Sequence, residues 1–178
     1  LKWHTLVFNS TSGAIMHDLV DHVIDGARDV NGDGDFELFV RTTQGALLPD
    51  TSTIKILNWN GNGFNSLWSQ NNAGFVRKDI QDFALNVNSA TSTGKSDLLT
   101  GPITPGGQDV FFTRRIIDAA TSNFEIDAWQ LDGGGNAAMI GTASGVNLDA
   151  LAVRAVSGGQ SSILLSTEVV GAAGLATG

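Results

Sequence analysis

No cysteine and no tyrosine occur in the 178-residue sequence, which excludes a disulfide framework and a thiolate metal site. Basic residues are scarce as well. Lys and Arg number 10 against 18 Asp and Glu, for a net charge of −8, so the basic footprint that a nucleic-acid backbone requires is missing. No apolar run approaches the ~20 residues that span a bilayer as a helix. The first residues, Leu1-Lys2-Trp3-His4, carry neither an initiator Met nor the apolar stretch of a signal peptide, which implies a removed leader or a piece of a longer chain. Only three prolines are present, and no long segment has helical periodicity.

The sequence is rich in glycine, 22 residues, and 42% hydrophobic, enough to bury a sizeable core in one domain spanning 1–178. Short apolar segments separated by Gly, Asn, Ser and Asp clusters predict an all-β fold. Strands are expected near 3–8, 20–28, 36–42, 53–59, 64–69, 80–87, 108–115, 124–131, 137–141, 148–154 and 161–168, with a short helical turn within 11–19.

The most specific segment is Asp29-Val30-Asn31-Gly32-Asp33-Gly34-Asp35-Phe36-Glu37. Oxygen ligands fall at alternate positions, and a further acid closes the loop at position nine. A hard cation that takes six to eight oxygens in irregular geometry suits this spacing, which points to Ca²⁺. Asp29, Asn31 and Asp33 would supply side-chain oxygens, Asp35 a backbone carbonyl and Glu37 a carboxylate from the far side. Four carboxylates within nine residues repel one another unless a cation lies between them. An EF-hand would close with Glu at position twelve, where this chain has Val40, and the β-rich Phe36-Glu37-Leu38-Phe39-Val40-Arg41 follows instead of a helix.

Internal repetition is the second signal. Asp25-Gly26-Ala27-Arg28-Asp29 leading to Glu37-Leu38-Phe39-Val40 has a gapless counterpart in Ala150-Leu151-Ala152-Val153-Arg154 leading to Ser162-Ile163-Leu164-Leu165. A middle copy runs from Asp82 to Asn88 and resumes at Gly94-Lys95-Ser96-Asp97-Leu98-Leu99. Downstream, Thr53 to Gly61 resembles Phe124 to Gly133. These are copies of one roughly four-stranded unit, over about 20–72, 80–145 and 148–178 with 1–10 as a flanking strand. The second loop keeps Asn86, Asn88 and Asp97 with Lys95 intruding, and the third has Arg154, Ser157 and Gly158. Fewer carboxylates mean weaker binding, so one tight site is expected, with at most one weak site and a metal-free third turn.

The pattern Asp29-x-Asn31-x-Asp33-Gly34-x-x-Glu37-Leu38-x-Val40, repeated with a Trp-bearing strand downstream, resembles the FG-GAP or VCBS repeat of integrin-α-type β-propellers. That resemblance implies four-stranded antiparallel blades with the cation loop joining the first two strands of each. The chain would then hold about three blade equivalents, fewer than the four to eight that usually close a ring. A fragment of a larger propeller, a ring shared by a homo-oligomer and an open β-domain all fit. The expected function is an extracellular or secreted recognition module for carbohydrate or a protein partner, stabilised by Ca²⁺ and without membrane insertion. The alternative is a fragment of a polysaccharide-processing, lyase-like propeller enzyme. No catalytic residue set can be placed, because no paired-carboxylate or triad arrangement stands out beside the four acids of the metal loop.

Trp59 and Trp129 sit at equivalent repeat positions and could stack on sugar rings, but matched aromatics more commonly pack between repeats. His4, His17 and His22 lack a metal-ligand spacing. Arg114-Arg115 reads as a solvated pair at a strand end, and Asn9-Ser10-Thr11 matches an N-glycosylation acceptor. Leu38, Val40, Ile56, Leu85, Leu99, Ile126, Val153 and Leu164 are the expected core.

Overall fold

The computed structural model describes residues 2–43, 52–79, 96–102, 108–156, 160–166, 169–170 and 176–177, with side chains over 2–43, 52–76, 98–101 and 108–148. Among them are sixteen strands and no helix: β1 (His4–Phe8), β2 (Ile15–Val20), β3 (His22–Arg28), β4 (Glu37–Thr42), β5 (Ser52–Trp59), β6 (Phe64–Phe75), β7 (Arg77–Asp79), β8 (Ser96–Leu98), β9 (Thr100–Pro102), β10 (Asp109–Asp118), β11 (Asn123–Leu131), β12 (Ala137–Val146), β13 (Asp149–Val156), β14 (Gln160–Ser166), β15 (Val169–Val170) and β16 (Ala176–Thr177). The protein is all-β, as its composition implies. Among the described residues no helix is long and apolar enough to cross a membrane.

One curled antiparallel sheet runs β12-β11-β10-β6-β5-β4-β3, with β9 also on β10. Its two halves, β3 to β6 and β10 to β12, meet where Phe75 and Gly74 of β6 pair with Thr113 and Arg114 of β10. Alternation along each strand decides what each face buries. Phe39, Ile54, Ile56 and Phe75 of the first half meet Phe111 and Leu131 of the second, with Val30 and Leu98 in the same cluster. The rings interlock edge to face, with centroids 5.0 Å apart for Phe39–Phe75, 5.6 Å for Phe39–Phe111 and 5.2 Å for Trp68–Phe111, a geometry favoured by ring quadrupoles.

The neighbouring residues bury the opposite faces. Val40 and Leu57 pack under Leu19 of β2, and Val110, Phe112, Ile126 and Ala128 pack with Leu148. Both halves are therefore apolar on two sides. This accounts for apolar runs such as Leu38-Phe39-Val40 and Val110-Phe111-Phe112, which do not alternate with polar residues as a half-exposed strand would. Of the expected core, Val40, Ile56, Leu99 and Ile126 are buried, and Leu38 packs at the edge of the Val40 cluster. Leu85 lies outside the described residues, as do the side chains of Val153 and Leu164.

The helical turn expected within 11–19 is not formed. Asn9 to Ala14 make a hairpin turn closed by Asn9 N–H to Ala14 O at 2.9 Å, and β2 follows directly. The Asn9 carboxamide oxygen accepts N–H from Thr11 and Ser12, each at 2.9 Å, and this local bonding competes with helix. β6 also runs further than expected, because its last residues leave β5 to pair with β10. The strand placed at 80–87 lies outside the described residues.

Backbone register sharpens the repeat. Asp21, Asn72 and Asn147 have φ of 57°, 55° and 50°, the left-handed region that Asn and Asp tolerate better than most residues. Four residues beyond Asp21 and Asn147, Asp25 and Leu151 are the extra residues of β-bulges, between Ile24 and Gly26 and between Ala150 and Ala152. Four residues beyond Asn72 is Val76, whose N–H bonds Phe112 O at 2.9 Å while its carbonyl accepts Leu99 N–H at 3.0 Å, ahead of the β7–β8 pair. Three hairpins thus share one phase. The bulges show that the gapless alignment is off by one residue before the loop: Asp25 corresponds to Leu151, not Ala150.

The β3 bulge turns Asp25 inward, where its carboxylate meets Arg41 Nη2 at 3.1 Å. Gly26 beside it lets Leu98 lie on the β3 backbone, since a Cβ there would stand 2.6 Å from Leu98 Cδ1 and 2.7 Å from its Cγ.

Candidate cation site

The loop between β3 and β4 curls back on itself. Gly32 and Gly34 adopt φ of 79° and 93°, values that L side chains rarely take. The curl directs backbone N–H groups at the acids. Asp29 Oδ1 accepts from Gly32 N at 2.8 Å and Asp29 Oδ2 from Gly34 N at 3.0 Å. Asn31 Oδ1 accepts from Asp33 N at 3.0 Å, Asp33 Oδ1 from Asp35 N at 2.8 Å, and Asp33 Oδ2 from the Asn31 amide at 2.9 Å. A carboxylate has about four lone-pair sites, so each of these oxygens retains capacity for a cation after accepting one N–H.

Glu37 differs from the other acids. It is fully buried, its Oε2 accepts from Val30 N at 3.0 Å, and its Oε1 is buried without a hydrogen-bond partner. Burial pushes its carboxyl above the usual range, and the nearby Asp33 and Asp29 charges push the same way, against the lowering effect of the Val30 N–H. A buried, half-satisfied carboxylate facing two other acids is costly as it stands. Asp35 is exposed, and Asn31 is buried. Among the described residues no three Asp, Glu or His side chains already converge as a metal-ligand cluster, so ligation by Asp29, Asp33 and Glu37 together requires the loop to tighten around the ion.

Residues distant in sequence hold this loop against the second half of the sheet. Val30 is fully buried in the core between the halves. The Gln108 amide donates to Asn31 O at 2.9 Å, and a Cβ on Gly133, in the β11–β12 turn, would lie 3.9 Å from the same carbonyl. Burial raises the Asp109 carboxyl, with Arg28 opposing the rise and Asp29 adding to it. Neither Gln108 nor Asp109 belongs to a recognisable ligand spacing, and only the folding of β10 against the loop brings them there.

The remaining candidates are engaged elsewhere. Trp129 lies 5.2 Å from Trp68 and donates to Thr113 Oγ1 at 3.0 Å; Trp59 packs on Phe64 at 4.9 Å and on His17 at 6.2 Å. His4 pairs with Asp18 at 2.9 Å, and His22 Nδ1 is 2.7 Å from Val20 O. Arg115 bonds Glu125, and the Arg114 guanidinium sits 3.6 Å from the centre of the Phe124 ring. In the second loop, Asn86, Asn88 and Lys95 lie outside the described residues and Asp97 lies in β8; in the third, Arg154 lies in β13 and Ser157 and Gly158 are outside. Comparison of the chain with protein-family models, with curated proteins and with solved structures found no match.

Proposed function

We propose that the protein is a calcium-stabilised recognition module of an extracellular or secreted setting, built on repeated antiparallel β-units of the propeller type. Its ligand is a carbohydrate or a protein surface. The observation that carries the cation assignment is Glu37 Oε1, buried without a partner beside Asp29 and Asp33, because a cation supplies what that oxygen lacks and offsets the repulsion. Asp29, Asn31, Asp33 and Glu37 would ligate through side chains and Asp35 through its carbonyl. All are oxygen donors, which favours Ca²⁺ over Zn²⁺. The recurrence of one hairpin phase after Asp21, Asn72 and Asn147 supports the repeat reading. The loop is pinned to Gln108 across the junction, so a bound ion would stiffen both halves together.

Calorimetric titration of Ca²⁺ into chelator-stripped protein tests the site: one tight event, lost in Asp33→Ala, is expected, and no heat and no change in melting temperature would remove the assignment. A glycan array probed with the calcium-loaded protein tests the ligand class. Retention of defined glycans supports carbohydrate recognition, and release of shortened products from them would favour an enzyme.

A further inference from the structure

Of the strand edges open among the described residues, those of β1 and β14 have complementary registers. β1 pairs only with β2, and β14 only with β13. Inside the molecule the corresponding edges are joined, because β4 pairs with β5 through Leu38↔Leu57, Phe39↔Ile56, Val40↔Lys55 and Arg41↔Ile54. β14 repeats β4: each follows a bulged strand, and Leu164 opposite Ala152 takes the place of Phe39 opposite Gly26. β1 repeats β5. Each runs into a turn whose Asn side chain, Asn9 or Asn60, accepts the N–H groups two and three residues on, and the chain then reaches the left-handed Asp21 or Asn72 twelve residues after that Asn.

The surface beside the open β1 edge carries large apolar side chains next to the exposed His4–Asp18 pair. Leu6, Phe8 and Ile15 are 42%, 54% and 57% exposed, whereas Leu19 on the other side of the hairpin is buried. On the far face of the second half, Ile116 stands 44% exposed beside its cross-strand neighbour Phe124. Open edges flanked by apolar surface are templates for further strand pairing.

The geometry points to a second copy of this chain as the partner, with β14 of each copy pairing antiparallel with β1 of the other to complete the β3-β4-β5-β6 pattern at both junctions. Two identical junctions close about a twofold axis without leaving a free edge of this kind. Pairing of β14 with β1 of its own chain would instead require a ring of only three stacked sheets, below the roughly four at which such rings close. In the two-chain form, the β1–β2 hairpin lies beside the partner's β13–β14 and carries Leu6, Phe8 and Ile15 onto the partner's Phe124 and Ile116 face. The proposal rests on the repeat register and not on the cation site.

The absence of native cysteine makes crosslinking a clean test. Counted back from Asn9, Thr5 takes the place of Ile56; by hairpin pairing Val7 does, since it lies opposite His17, four residues before Asp21, as Ile56 lies opposite Trp68, four residues before Asn72. Both lie on one pleat face, so Leu164→Cys is combined with Thr5→Cys in one protein and with Val7→Cys in another. Directly opposed residues have Cβ atoms about 4.5–5.5 Å apart, close enough for a disulfide with slight adjustment. Sedimentation of the unmodified 178-residue chain at twice its own mass, together with a reductant-sensitive covalent dimer from at least one double variant, is expected. Leu164→Cys with Leu6→Cys places the thiols on opposite faces and should not link. A monomer at tens of micromolar, a dimer that neither pair captures, a link within one chain, a ladder of larger species or equal linking by the Leu6 control would each overturn the proposal. Calcium binding is measured separately, so either proposal can fail alone.

Discussion

Replacing Glu37 with Gln should change stability in opposite directions with and without calcium. The carboxylate is fully buried, has one N–H partner at 3.0 Å through Oε2 and none at Oε1. Gln keeps the shape and can still accept from Val30 through its carbonyl oxygen, while its amide can donate toward the neighbouring acids. In chelator, Glu37→Gln should therefore melt at or above the unmodified protein, because a charge that burial and two like charges disfavour has been removed. In calcium the order should invert. An ion at a hundredfold excess over Kd contributes roughly 2.7 kcal/mol to the native state, and for a chain of this size ~1 kcal/mol moves Tm by about 2–4 °C, so calcium should raise the Tm of the unmodified protein by about 5–10 °C. A tenfold loss of affinity in Glu37→Gln would remove roughly 1.4 kcal/mol of that. The assay is a pair of thermal melts for each protein, in chelator and in calcium. Glu37→Gln melting lower by the same amount in both would refute the reasoning, because it would make Glu37 a structural acceptor and no ligand.

pH should act on the same group with a sign set by the ion. Its folded carboxyl titrates above the unfolded one, so without calcium this contribution is fully present below the unfolded pKa and lost as pH rises through the folded one; with calcium, which binds the ionised form, the gain should be lost as pH falls, and melts at several pH values in the two buffers check both signs. Gly26→Ala brings a Cβ to within 2.6 Å of Leu98 Cδ1 and should cost about 1–3 kcal/mol by overpacking, read as a lower urea midpoint with unchanged slope. Phe111→Ala removes the ring shared by Phe39, Phe75 and Trp68 and should cost about 3–5 kcal/mol, with an unchanged midpoint excluding Phe111 from the core. Gln108→Ala frees the Asn31 carbonyl from its amide partner and should cost about 1 kcal/mol and weaken calcium binding; calorimetric affinity equal to that of the unmodified protein would show that the junction and the loop are uncoupled.

By itself the sequence determined the all-β class, most of the longer strands and the spacing of oxygens in the loop. Short apolar segments between Gly and Asn clusters encode strands because both signals are local: a side chain alternates faces every residue, and a turn needs particular φ values. The alternating oxygens of Asp29 to Glu37 are local for the same reason. The helical turn expected within 11–19 failed because the Asn9 side chain bonds Thr11 and Ser12, and the gapless repeat alignment failed because a bulge adds one residue to a strand without disturbing its composition. Tertiary structure alone decided which faces are covered. Leu38-Phe39-Val40 reads as one apolar run, yet Phe39 turns to Phe111 and Val40 to Leu19, because a strand between two layers buries both its faces. It also decided that Glu37 is buried with one oxygen unpartnered and that Gln108, 77 residues beyond Asn31, braces the loop. Those relations depend on chain segments far apart in sequence, and no periodicity within either segment encodes them.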